Sequence, residues 1–174
     1  MKIGITGGIG SGKSYVCRLL QESWGIEVYD CDAAAKRLMR TSDDLRQQLC
    51  QIVGPEAYRK EDGTWILNKA VMAHFLLASE ANTLAINGIV HPAVFRDFEQ
   101  SGLQWLESAI LYESGLDKLM DCVVVVTAPQ EVRLARVIQR DGISREKAQE
   151  WIDKQWPQEQ KRQLAHYEIV NDGE

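Results

Sequence analysis

The chain has 174 residues, 45% of them hydrophobic and 26% charged, with 20 Lys and Arg against 25 Asp and Glu for a formal net charge of −5. That length suits one domain with a substantial core and a small inserted lobe, and the acidic balance excludes a general nucleic-acid or anionic-membrane binder while leaving room for a local basic pocket. No apolar run reaches the roughly 18 residues of a membrane span, no apolar leader precedes the early glycines, and the four cysteines (Cys17, Cys31, Cys50, Cys122) form no CxxC pair, so a cytoplasmic protein with reduced thiols is expected.

In chain order, Lys2–Thr6 reads as a short strand stopped by glycine, and Val16, Leu19 and Leu20 at helical spacing predict a helix from Lys13 to about Ser23. Between them lies GGIGSGKS, Gly7 to Ser14, which fits the phosphate-loop pattern G-x-x-x-x-G-K-[ST] and has the strand before it and the helix after it that the pattern requires. Glycines let backbone N–H groups converge on phosphate oxygens in a hollow that a Cβ would obstruct. The helix beginning near Lys13 aims its positive dipole end at the same anion. Lys13 supplies a mobile charge for the β- and γ-phosphates, and Ser14 a hard hydroxyl oxygen for Mg²⁺. Such a loop binds a phosphate chain, but kinases, GTPases and motor ATPases share it.

Ile26–Asp30 reads as a second strand. Asp30-Cys31-Asp32 then sets two carboxylates at its carboxyl end, the edge where ligands of open α/β sheets gather. One suits the proton of an attacking hydroxyl and the other Mg²⁺ or its waters; equally, Asp32 suits the cap of a helix beginning at Ala33. From Ala33 to Gln100 the periods are helical with almost no strand signal, broken near Thr41-Ser42, Gly54-Pro55, Glu61-Asp62-Gly63 and His91-Pro92. That stretch is too long for one crossover and predicts an inserted helical lobe over the sheet edge.

Leu103–Leu111 is a further strand, and Cys122–Ala128, β-branched and apolar on both faces, is the best candidate for a central one. Helical patterns follow at Pro129–Arg140 and Ser144–Trp156, Pro157 opens or breaks the next, and Tyr167–Val170 is the last strand. Strands alternating with helices give an α/β fold with a parallel five-stranded sheet flanked by helices. Arg133, Arg136 and Arg140 share one helical face. Arg133 reads as solvated surface, while Arg140, before the Asp141-Gly142 break, suits a cation that swings over a transferring phosphate. No N-K-x-D follows the late strand, which continues PQEVR, so a GTP switch lacks its guanine-reading motif. A nucleoside or nucleotide kinase stays open as an alternative. Trp24, Trp65 and Trp105 read as packing residues, and His91 on residue type alone as a packed or capping histidine.

Taken as an ordered set, TGGIGSGKS (Thr6–Ser14), Asp30-Cys31-Asp32, IVHPAV (Ile89–Val94), ILYE (Ile110–Glu113), QRDGIS (Gln139–Ser144), Gln155 and NDG (Asn171–Gly173) resemble the dephospho-CoA kinase family over nearly the whole chain. The resemblance implies a single P-loop kinase domain over 1–174, with a helical substrate-binding insertion at about 33–100 and a helical lid at about 133–157. It implies ATP with Mg²⁺ as cofactors and dephospho-CoA as the partner, phosphorylated on its ribose 3′-hydroxyl, with no nucleic-acid, membrane or obligate protein partner. Carried over by position, Asp32 is the general base, with Lys13 and Arg140 also catalytic. Gly8, Ile9, Gly10, Ser11, Gly12, Lys13, Ser14 and Tyr15 hold the nucleotide; Asp32, Lys36, His91 and Glu113 hold the substrate; Ser14 and Asp30 hold the metal. Tyr15 stands where the family usually has threonine, Cys31 where it has alanine, Ala109 where it has proline, and Lys36 and Lys69 where arginine is common.

Overall fold

A computed structural model describes residues 1–173, in two separately packed units: Met1–Asp30 with the chain from Leu103 onward, and Cys31–Gly102. In the first unit the strands are β1 (Ile3–Thr6), β2 (Val28–Asp30), β5 (Trp105–Glu107), β6 (Cys122–Thr127) and β7 (Tyr167–Val170). They form one sheet in the order β2-β5-β1-β6-β7, and every pairing is parallel. The expected five-stranded parallel sheet is therefore present.

Register fixes which residues share the carboxyl edge, for Ile5 of β1 lies opposite Glu107 of β5, which in turn lies opposite Asp30 of β2. The helices of this unit are α1 (Lys13–Trp24), α6 (Gln130–Asp141), α7 (Arg145–Asp153) and α8 (Gln158–Leu164). Ile5, Val16 and Val126 are buried together with Leu20, Val28 and Trp105 against them. A second cluster, Leu134, Val137, Ala148 and Ile152, joins α6 to α7, and Ile9 of the phosphate loop packs on it.

The second unit holds α2 (Cys31–Thr41), α3 (Asp43–Val53), the hairpin β3 (Tyr58–Glu61) and β4 (Thr64–Leu67), α4 (Lys69–Ala78) and α5 (Glu80–Ser101). Ser42, Asn68 and Ser79 cap α3, α4 and α5 by accepting from Leu45, Val71 and Asn82 N–H. Each such cap contributes on the order of 1 kcal/mol. The core of the unit comes from Leu45, Leu49, Met72, Ile86, Val90, Val94 and Phe98, and Arg37 of α2 bonds Asp97 of α5 at 2.5 Å.

Four expectations change. The hairpin was invisible to a helical reading, yet Asp62 and Gly63 have φ of 48° and 82°, the paired positive angles of a two-residue hairpin turn. Pro92 does not break its helix; α5 runs through it, anchored by Ile86, Val90, Val94 and Phe98, buried at four-residue spacing on one face. The strand expected over Leu103–Leu111 is only Trp105–Glu107, after which Ser114 N–H bonds back to Ile110 C=O and the chain turns. Trp24 is 71% exposed rather than packed.

Candidate active site

The loop between β1 and α1 is fixed from behind. Arg133 Nε donates to Ile9 C=O at 3.0 Å, and one arm of Arg136 reaches Gly10 and Ser11 C=O at 3.2 and 3.3 Å. Asn171 Nδ2 donates to the same Ser11 oxygen at 3.1 Å, and Gly8 C=O accepts from Ser11 N–H. Ile9 N–H is taken by Gln155 Oε1 at 2.8 Å. With the Ile9, Gly10 and Ser11 carbonyls already bonded to cations and an amide, these oxygens are not left to oppose an incoming anion. Gly12 at φ 90° precedes α1 with no side-chain cap, and the first turn of the helix carries the dipole's positive end. The fully buried Ser11 Oγ also lacks a hydrogen-bond partner among the described residues. These features fit a nucleoside phosphate chain.

Sequence reasoning gave the glycines to the phosphate side alone. At Gly10, with φ 79°, a Cβ would instead stand 2.6 Å from Arg133 C=O, so the residue also keeps the loop close against α6. The reading of Arg133 as solvated surface is overturned in the same place: it is 5% exposed, on the α6 face that carries Val137 four residues on, and burial lowers its pKa. The second arm of Arg136 stitches the chain end to the loop through Asn171 and Gly173 C=O at 2.9 and 2.8 Å. Arg140 is exposed at the end of α6, its guanidinium bonded to Asp141 at 2.7 Å. Ser14 and Tyr15 are exposed on α1, and the Tyr15 ring carries the Arg18 guanidinium at 5.3 Å.

Around the half-buried Cys17 of α1 the loop's charges converge. Burial pushes its thiol up to about 12, Glu107 adds to the rise, Lys13 opposes it and Asp30 adds again. Lys13, Asp30 and Glu107 thus act on one small volume at the sheet's carboxyl edge. Sequence reasoning missed Glu107, because a strand drawn on to Leu111 hides the carboxylate at its true end. For Mg²⁺, a Ser14 hydroxyl and an Asp30 carboxylate are hard-oxygen donors of the right chemistry, since this ion keeps waters and substrate phosphates rather than needing a full protein cage. Among the described residues no cluster of three or more His, Cys, Asp or Glu forms a metal site.

Glu113 is held by a cation that the sequence did not advertise. Lys161 of α8 is 0% exposed, bonding Glu113 Oε2 at 3.0 Å and Ala109 C=O at 2.8 Å. Burial lowers its pKa; the Glu113 charge opposes that fall, while Lys13 and Arg133 reinforce it. Glu113 Oε1 is buried with no partner among the described residues, and the neighbouring Tyr112 ring stacks on Trp156 at 6.4 Å.

In the second unit, Asp32 is exposed in the first turn of α2. Because that helix begins at Cys31, directly after β2, Asp32 lies inside the helix and the reading of it as the N-cap residue falls. Lys36 is exposed one turn further along α2. His91 is half-buried on α5, and burial lowers its pKa.

Among known proteins, the family profile described as dephospho-CoA kinase matches residues 1–174. A Bacteroides fragilis protein named dephospho-CoA kinase is 41% identical over 181 residues, covering 100% of this chain and 86% of its own. A solved Thermus thermophilus protein is 34% identical with a TM-score of 0.82, the match covering 99% of this chain and 89% of that one. The shikimate kinase of Acinetobacter baumannii, 17% identical with a TM-score of 0.56 over 99% of this chain and 84% of its own, shares the fold.

Proposed function

The chain belongs to the dephospho-CoA kinase family, kinases that transfer phosphate to an alcohol, and we propose that it uses ATP with Mg²⁺ to phosphorylate the ribose 3′-hydroxyl of dephospho-CoA, giving coenzyme A and ADP. The observation that carries the proposal is the phosphate loop whose carbonyls are bonded from behind by Arg133, Arg136 and Asn171. An anion cradle preorganised in this way stabilises charge without reorganising during the reaction.

The residues then take these roles. The loop Gly8 to Tyr15 and the Lys13 ammonium hold the phosphates of ATP; Ser14 and Asp30 would supply oxygens to Mg²⁺, which would neutralise charge on the β- and γ-phosphates. Asp32 accepts the proton of the 3′-hydroxyl as its oxygen bonds to the γ-phosphorus and the bond to the ADP oxygen breaks. Arg140, released from Asp141, offers its fork to the transferring phosphoryl group. Lys36, His91 and Glu113 bind the acceptor. The cytoplasm is the proposed location.

The test is ADP release in a coupled assay with MgATP, with and without dephospho-CoA. Strong stimulation by dephospho-CoA, together with coenzyme A as product, supports the assignment. Release that ignores dephospho-CoA but responds to a nucleoside overturns it.

A further inference from the structure

The roles above use one nitrogen of Arg133 and leave Gln155 without a part, yet both side chains meet at the start of the phosphate loop. Arg133 Nε holds Ile9 C=O at 3.0 Å, while Nη2 of the same guanidinium lies where a Cβ on Gly8 would have to stand. Gln155 Oε1 is 3.4 Å from that point and accepts from Ile9 N–H at 2.8 Å. Gly8 must lack a side chain to admit the guanidinium.

Both side chains carry donors that the protein leaves unused. Arg133 is 5% exposed, and among the described residues it makes no ion pair and no hydrogen bond beyond that of Nε. A buried cation without a counter-charge is costly, and burial lowers its pKa accordingly. Unlike Ser11 Oγ, its unbonded nitrogens are not sealed from solvent, so a ligand can reach them. In Gln155 the orientation of the carboxamide follows from its partner, because a backbone N–H needs the oxygen rather than the nitrogen. The Nε2 donors then remain on the other side, with no partner among the described residues. Lys13 and Arg133 both act on the charge of Lys161, which puts the Arg133 cation in the neighbourhood of the lysine that serves the β- and γ-phosphates.

We infer that Arg133 and Gln155 grip the γ-phosphoryl group of the nucleotide, the terminal guanidinium nitrogens and the carboxamide Nε2 donating to its non-bridging oxygens. The inference rests on the function proposed above and deepens it by adding two catalytic residues. As the acceptor oxygen bonds to phosphorus and the bond to the ADP oxygen breaks, charge spreads over those oxygens. Donors already fixed by Ile9, one through its C=O and one through its N–H, stabilise that charge without moving and without giving up a proton. ADP has no γ-phosphoryl group and leaves the pair untouched. A pair that merely propped the loop would serve ADP and ATP alike.

The test uses the whole chain, titrated calorimetrically with ADP and with AMPPNP, an ATP analogue that retains a γ-phosphoryl group and is not turned over. Gln155→Glu keeps an oxygen for Ile9 N–H and sets a carboxylate where the donor stood; Arg133→Gln removes the fork and its charge. Each variant should bind AMPPNP about tenfold more weakly, the loss of charge-assisted contacts to phosphate, while ADP binds as it does to wild type. In turnover, kcat should fall about a hundredfold, the usual result of removing one donor to developing charge. Should the buried Arg133→Gln fail to fold, the half-buried Gln155 gives the reading alone. Equal weakening of ADP and AMPPNP, unchanged binding of both, or an unchanged kcat overturns the inference. A selective loss of AMPPNP binding in the variants, beside a wild type that makes no coenzyme A, leaves the grip standing and sinks the proposed acceptor instead.

Discussion

In the sheet-bearing unit the basic side chains near the phosphate loop are engaged by the protein itself: Arg133 by Ile9 C=O, Arg136 by four carbonyls, Lys161 by Glu113 and Ala109. In the helical unit three cations that line one cavity, Lys36, Arg40 and Lys69, have no such partners among the described residues. The difference teaches that a cation's duty is read from its partners. Buried or half-buried, partnered cations fix backbone carbonyls; exposed ones without an ion pair among the described residues carry no such structural duty. Substituting the first kind should cost stability, and substituting the second kind should not.

The largest expected effect tests the partnered kind. Lys161→Met removes a buried cation and leaves the half-buried Glu113 carboxylate without compensation, a change worth about 3–5 kcal/mol in urea unfolding. The double variant Glu113→Gln/Lys161→Met should recover most of that loss, since an apolar replacement of a whole buried pair is often neutral. The pH dependence has a definite sign. Burial keeps the Lys161 pKa below its usual 10.5 in the fold, so between the folded value and 10.5 the unfolded chain binds more protons. This group's contribution then makes stability rise with pH across that window, and the double variant should lose that rise. A double variant with an unaltered alkaline rise would show that Lys161 is not its source.

Next comes Asp32→Asn, which should cut turnover by about a hundredfold or more, the usual contribution of a general base. Exposed and inside the helix rather than at its cap, Asp32 should cost only about 0.5 kcal/mol of dipole interaction on substitution. Normal turnover beside a destabilisation of about 1 kcal/mol would return Asp32 to a structural role.

How much of this was legible in the sequence depends on what each residue type constrains. The phosphate loop and Cys122–Thr127 were readable because glycine, lysine and β-branched runs have few other uses. The hairpin was missed although Asp62-Gly63 is among the strongest hairpin signals; its strand residues Arg59, Lys60 and Glu61 are exposed and give no apolar alternation. Arg133 was misread because shared helical spacing says which residues lie together, not whether that face meets solvent. The buried Val137, four residues on, was the available clue. For Lys161 no clue existed: QEQKRQL is polar but for its last residue, and only the packing of α8 buries its fourth.

Arg136→Lys probes the partnered kind more gently. A single ammonium cannot span Gly10 and Ser11 on one side and Asn171 and Gly173 on the other as the fork does. The expected loss is about 1–2 kcal/mol in unfolding, with a raised KM for ATP because the loop carbonyls are no longer held back. An unfolding loss with KM unchanged would make Arg136 a staple for the chain end alone.

The smallest effect is the sharpest control on the comparison. Lys36 is exposed and without an ion pair among the described residues, so Lys36→Gln should shift unfolding by no more than about 0.5 kcal/mol. It removes one of three cations that line the same cavity, beside Arg40 and Lys69, and relief of like-charge repulsion makes a slight gain more reasonable than a loss. If Lys36→Gln instead destabilised the chain by more than 1 kcal/mol by the same measurement, the cavity cations would be structural after all. The division between cations that hold the backbone and cations without a structural duty would then fail at its simplest point.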